Sequence, residues 1–297
     1  MTTSSMFDLL MERVTAGDRL GVDDLAQLAA TRDILQLGML ADAVRRRIHG
    51  AQVTYVRVAL CPFDKPLTDV VPLQAREVRL QGSPQTLEIA VTAVQAARAV
   101  AGERTVSAFS WLDIDRLSAS SRVPDVLERL RSAGLDALAE IPLDRIDHHS
   151  QVLDALVTAG YIQLRLTIDK AKADVRTELF VAAAALQEEF PAVRSINPLP
   201  MAVDSMRPTT GYDDVKSVAM ARLAAPNVPT VQVDWLRYGP KLAQVALTFG
   251  ADDIDNVTAS DEAPDGRRRA PLEEVRRNIE AAGLDPAERD GRFSLIS

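Results

Sequence analysis

The chain has 297 residues, of which 47% are hydrophobic and 26% charged, and a formal net charge of -8. That length and apolar content suit one barrel-sized domain with an extension. The acid excess excludes a nucleic-acid partner, because phosphate binding needs Lys and Arg clustered in excess. No apolar run approaches the ~20 residues of a membrane span, and the start MTTSSMFDLLMERV carries no secretion signal, so a cytoplasmic setting without membrane is expected. One cysteine, Cys61, cannot form an internal disulfide and fits a reducing compartment. The basic run Arg267–Arg269 follows an acidic stretch and reads as solvated surface.

Residues 6–48 read as two or three helices, with apolar positions such as Leu25, Leu28 and Ala29 at helical spacing and Gly17–Gly21 as a break. From there the hydrophobic period shortens. Strand-like runs are predicted at 52–60, 77–82, 105–111, 135–141, 161–169, 193–200, 228–236 and, more weakly, 251–256. Helical stretches lie between them at 86–100, 123–133, 149–159, 175–189, 213–224 and 240–249, and a last one follows at 272–282. Gly102, Gly134 and Gly160 stand where helix C-termini want a left-handed residue. This alternation predicts an α/β chain: a (β/α)8 TIM-type barrel over residues 51–297 behind a helical N-terminal extension, residues 1–50. An open doubly wound sheet is the structural alternative.

In such a barrel chemistry sits at the strand C-terminal ends. That rule selects Cys61, Ser83, Trp111, Asp113, Glu140, Thr167, Asp169, Lys170, Asn197, Asp234, Trp235, Arg237, Asp252, Asp253 and Asp255. Each has a plain structural reading beside the functional one. Cys61 is a nucleophile or lone metal ligand only in an electropositive setting, and otherwise an inert buried thiol. Trp111 and Trp235 stack an aromatic ligand or pack the barrel. His148 and His149 are neighbours on a helix and diverge, so they do not make a paired metal site. His49 precedes the first strand, at the wrong end for catalysis. Of the three aspartates only Asp253 and Asp255 share a strand face, which weakens a divalent-cation cluster.

The blocks GPKLAQVALTFGADDIDN (239–256), TTGYDDVKSVAMARLAAPNVPTVQVDW (209–235), LADAVRRRIHGAQVTYV (40–56), AFSWLDIDRLS (108–118) and LERLRSAGLDAL (127–138) carry a resemblance. They resemble the radical S-adenosylmethionine enzymes of the futalosine route to menaquinone, aminofutalosine synthase and its cousins among the F420-precursor synthases. The resemblance implies a barrel holding a [4Fe-4S] cluster on a Cys-x3-Cys-x2-Cys loop after the first strand. Here that loop reads LCPFDKPLTDVV, with Cys61 alone. The family's glycine pair beside S-adenosylmethionine is Gly82-Ser83, its glycine-rich run after strand four is missing at Leu138–Ile141, and its late Gly-Thr is Asn256-Val257-Thr258.

Three functional expectations follow. One is a barrel without cluster or other cofactor that binds a small-molecule metabolite or a cluster-bearing homologue, with Cys61, Ser83, Trp111, Asn197, Asp234, Trp235, Arg237 and Asp253 around the ligand. The second is a cluster-independent acid–base enzyme with Glu140 or Asp169 as base and Lys170 or Arg237 as electrophilic anchor. The third is a cluster completed by another chain.

Overall fold

The computed structural model describes residues 3–64, 67, 71–201, 211–262 and 270–296; the basic run Arg267–Arg269 and positions 65, 66 and 68–70 of the loop after the first strand lie outside them. Three helices come first: α1 (Thr3–Ala16), α2 (Val22–Ala30) and α3 (Ile34–His49). Asp33 starts α3 by accepting the Gln36 N–H at 3.1 Å, which satisfies one of the orphan donors of the first turn. Leu37, Leu40, Ala41 and Val44 form one buried stripe on α3, at i, i+3, i+4 and i+7.

The chain then alternates: β1 (Gln52–Pro62), β2 (Glu77–Gln81), α4 (Leu87–Ala101), β3 (Thr105–Ser110), α5 (Trp111–Leu117), α6 (Val123–Ala133), β4 (Ala137–Pro142), α7 (His149–Thr158), β5 (Leu164–Ile168), α8 (Ala173–Glu189), β6 (Val193–Pro198), α9 (Tyr212–Ala224), β7 (Thr230–Asp234), α10 (Trp235–Leu247), β8 (Asp253–Thr258), α11 (Pro271–Ala281) and β9 (Asp285–Glu288). α3 packs against α9, and α2 lies across α8 and α9. Buried residues of α1 to α3 join the same apolar core as those of the barrel helices.

Strands β1 to β8 are parallel, and β1 pairs with β8 on one side and β2 on the other, so the sheet closes. That pairing rules out the open doubly wound sheet. The three glycines placed at helix ends all have positive φ, and Gly134 ends α6 in the left-handed region with its N–H on Arg131 O. No helix among the described residues is long and apolar enough to cross a membrane.

Three details depart from the sequence reading. Trp111 and Asp113 begin α5 instead of ending a strand. Helix α10 starts at Trp235, before the expected Pro240, because a turn anchored on Asp234 precedes a break at Gly239, whose φ of 71 is non-helical. A ninth strand, β9, pairs in parallel with the first half of β1, from Gln52↔Asp285 to Tyr55↔Glu288. Glu288 fixes it there through Arg57 at 2.7 Å and Arg76 at 3.0 Å.

Candidate functional site

Alternation along β2 sends Glu77 and Arg79 to the barrel interior, where burying charge is tolerable only with partners. The partners are present. Arg79 donates to both Asp255 oxygens at 2.8 and 2.9 Å and to Glu77 Oε1 at 2.7 Å. Arg165 forks onto the two Glu77 oxygens at 2.7 and 2.8 Å, and Ser107 Oγ donates to Glu77 at 2.5 Å. Burial alone would raise the Glu77 carboxyl, but Arg165 and Arg79 outweigh it and hold it far below its ordinary range. Asp253 is likewise gripped by Arg289 at 2.6 and 2.7 Å, by Gln232 at 2.7 Å and by Thr54 at 2.5 Å.

The strand N-terminal end of this lattice is plugged by the chain after β9. Arg165 also donates to Gly291 O at 2.9 Å, and a Cβ at Gly291 would lie 2.6 Å from Thr105 and 2.8 Å from Glu77. Phe293 lies under three guanidinium groups, with Arg289 4.2 Å from its ring centre, Arg165 at 5.6 Å and Arg194 at 5.7 Å.

At the opposite end a cavity of about 440 Å³ opens among the strand C-termini, with Arg79 on its wall beside Gly82, Ser83, Phe109, Glu140, Asp234, Arg237 and Asn256. Asp234 accepts the Leu236 and Arg237 N–H groups at 2.9 Å each, starting α10, and takes an Asn256 amide bond at 3.0 Å. Arg237 reaches across the opening to Glu140 at 2.5 Å. Burial raises the Glu140 carboxyl against the pull of Arg237, and burial with the Asp255 charge raises Asp234. Phe109 and Asn256 hold positive φ values of 58 and 65 at this wall. For Phe that is an outlier, and strain of this kind concentrates where a site dictates the backbone. Gly82, at φ 111, lets the turn after β2 pass against Phe63, whose ring lies 2.5 Å from where a Cβ would be.

The residues named from sequence therefore divide. Ser83, Asp113, Glu140, Asp234 and Arg237 line the cavity together. Asn197 is buried one strand over from Thr167, and its Oδ1 and the Thr167 hydroxyl have no partner among the described residues. Asp169 lies 3.6 Å from Arg145, and Lys170 is exposed; Asp144 holds that loop by accepting the N–H groups of Asp169, Lys170 and Ala171 at 2.9, 2.6 and 2.8 Å. Neither Asp169 nor Lys170 lines the cavity. Trp111 and Trp235 are 6% and 5% exposed and pack in the core. Asp113 takes the Ser110 N–H and an Arg116 ion pair. Asp253 lies in the arginine lattice, and no group of His, Cys, Asp and Glu suited to a metal ion occurs among the described residues. Asp252 points elsewhere, to Arg222, the Val231 N–H and His49. His149 bonds Leu143 O at 2.8 Å. Sequence reasoning missed Arg79 and Phe109 on this wall.

A cysteine-ligated cluster does not fit these residues. Such a cluster takes several thiolates, whereas Cys61 is the chain's single cysteine. It is buried, its Sγ faces Ala59 O at 3.8 Å, and burial pushes the thiol up, away from the thiolate a metal requires.

Comparison with known proteins agrees with the barrel. Residues 199–296 match the model of the CofH/MqnC C-terminal region family. The chain is homologous to aminodeoxyfutalosine synthase of Thermus thermophilus, 26% identical over 97% of this chain and 95% of the relative. It is also homologous to the 5-amino-6-(D-ribitylamino)uracil–L-tyrosine 4-hydroxyphenyl transferase of Archaeoglobus fulgidus, 24% identical over 86% and 92%. Among solved structures it superposes on methylornithine synthase (PylB) with a TM-score of 0.66 at 14% identity, covering 94% and 97% of the two chains. It superposes on the FeFe-hydrogenase maturase HydG of Carboxydothermus hydrogenoformans with a TM-score of 0.67 at 10% identity, covering 98% and 81%. At those identities the structural likeness speaks for the fold alone.

Proposed function

We propose that this chain is a metabolite-binding barrel that works without an iron–sulfur cluster, in the chemistry of futalosine-type menaquinone synthesis. One observation carries the reading: the strand-one end offers a single buried thiol that does not line the mouth, while the mouth beside it keeps a polar cavity of about 440 Å³. A pocket of that size suits a small aromatic or nucleoside-like compound. Phe109, Leu60 and Leu236 supply apolar surface, and Ser83, Glu140, Asp234 and Arg237 supply polar contacts. The pathway assignment rests on the homology to aminodeoxyfutalosine synthase.

A second reading, acid–base catalysis in the same cavity, is favoured by Glu140. Its carboxyl is raised by burial and bridged to Arg237, so a base and a charge stabiliser stand side by side. Asp169 and Lys170 are set back from this cavity and serve the reading less well.

Calorimetric titration with chorismate, its enolpyruvyl-benzoate descendant, aminofutalosine and S-adenosylmethionine, beside iron analysis after anaerobic reconstitution, tests both. Saturable binding of a pathway compound by iron-free protein is the expected result. Stoichiometric iron together with S-adenosylmethionine binding would overturn the cluster-independent reading. Turnover of a bound compound that is lost in Glu140→Gln with binding retained would move the conclusion to the enzyme.

A further inference from the structure

Among the described residues four arginines are fully buried, Arg45, Arg176, Arg222 and Arg289. Three of them hold a carboxylate, on Asp42, Asp252 and Asp253 respectively. Arg176 holds none among the described residues. At 1% exposure, on the first turn of α8, it donates through Nε to Ala171 O and through Nη1 to Leu199 O, both at 2.9 Å, and its Nη2 is buried with no partner among the described residues. Burial weakens its hold on its proton, while Asp214, Asp144 and Asp169 act on it only from a distance. Asp214 is itself engaged by the Met201 N–H at 2.9 Å.

Arg176 lines a cavity of about 280 Å³ outside the barrel, between α2, α8 and α9, and Lys216 stands on the same wall with the hydroxyl residues Thr177 and Ser217. Lys216 also has no ion pair among the described residues. Its Nζ donates to Ala29 O at 2.6 Å and Thr31 O at 2.8 Å, which leaves one of three ammonium protons unused. Asp174 and Asp213 complete the wall; Asp174 accepts the Val175 N–H at 3.1 Å, and Asp213 influences Lys216 without pairing with it.

Two cations held by carbonyl oxygens, each with a donor to spare, flank one space with two hydroxyl residues. A buried charge without a counter-charge costs several kcal/mol, and the missing partner is an acceptor carrying negative charge. We propose that this cavity binds a small oxyanion, of the phosphate or carboxylate type, between Arg176 and Lys216. The space accepts inorganic phosphate or a compact monoester and excludes a dinucleotide. Because Nη2 is closed off from water, the anion meets Lys216 and the hydroxyls first and draws the guanidinium edge toward it by a small side-chain shift. Lys216 reaches the chain at the end of α2, so the anion also fastens the N-terminal helices to the barrel.

Thermal unfolding and calorimetric titration of the full chain with inorganic phosphate and, in a second arm, malonate test the site, each against sodium chloride at equal ionic strength. Saturable heat and a rise of Tm that grows with the logarithm of probe concentration are expected, and the arm that responds assigns the anion class. Lys216→Met is expected to weaken probe affinity at least tenfold and Arg176→Gln to weaken it further, with folding checked by circular dichroism. If Arg176→Gln does not fold, wild type and Lys216→Met decide. No effect beyond that of chloride in both arms, or equal affinity in wild type and Lys216→Met, overturns the proposal.

Discussion

Glu77 and Glu140 stand in the same barrel and are treated in opposite ways. Glu77 is wholly enclosed, shared between Arg165 and Arg79, and held far below its ordinary pKa. Glu140 stands at the mouth with one half-exposed cation, Arg237, and burial holds its carboxyl above the ordinary range. The lattice of Glu77, Arg79, Arg165, Asp253, Asp255 and Arg289 carries three negative and three positive charges and is closed below by the segment around Gly291. The mouth carries Glu140 and Asp234 against Arg237 and remains open. One end is closed by protein, and the other opens as a cavity.

The strongest way to break this comparison is to remove a lattice cation. Arg165→Met leaves Glu77 enclosed with half its compensation, and a loss of about 3–5 kcal/mol is expected in denaturant unfolding. A loss below 1 kcal/mol would show that the lattice is not what holds the barrel closed. Gly291→Ala comes next. Its methyl would enter the space of Thr105 and Glu77, at the 2.6 and 2.8 Å separations given by the backbone, and overpacking of this kind costs about 1–3 kcal/mol. Unchanged stability would mean that the segment after β9 does not press on the barrel base.

Titration sharpens the contrast through the slope of stability with pH, a smaller effect than the loss from breaking a buried pair. The lowered pKa of Glu77 gives stability that is fully present above the unfolded carboxyl value, about 4.3, and is lost as pH falls toward the folded value. The raised pKa of Glu140 works the other way: its contribution is present below about 4.3 and is lost as pH rises through the folded value. Glu140→Gln should therefore leave stability at neutral pH within about 1 kcal/mol of wild type, or slightly higher, and remove part of the decline with rising pH. Glu77→Gln should instead flatten the acid limb. Unfolding free energy measured from pH 3 to pH 8 for the two variants checks the pair, and the same sign of change in both would remove the distinction between the ends.

The strand and helix periods carried the barrel, since β-branched runs and the helices between them are local signals. What escaped is local in the opposite sense. β9 reads Asp-Pro-Ala-Glu, with no β-branched residue, and is a strand only because β1 leaves an edge for it. The turn Trp235–Tyr238 was hidden by Pro240, which looks like a helix start. Ser83, Glu140, Asp234 and Arg237 were legible because a strand end is legible. Arg79 was not: a mid-strand arginine reads as an outward charge until Asp255, 176 residues later, is known to meet it. Asp253 looked like a ligand residue for the same reason, since nothing near it announces Arg289.

The plug below the lattice also sets an order of events during synthesis. Glu77 finds Arg79 only two residues away, so its charge has company as soon as β2 emerges. Arg165 follows 88 residues later, and its bond to Gly291 waits another 126. Asp253 has earlier hydrogen-bond donors in Thr54 and Gln232, but its cation is Arg289, 36 residues downstream. A nascent chain stopped just short of β9 would hold the sequence of all eight barrel strands and an Asp253 still without its guanidinium. The full set of partners in the lattice is thus available only once the chain has been made past residue 291.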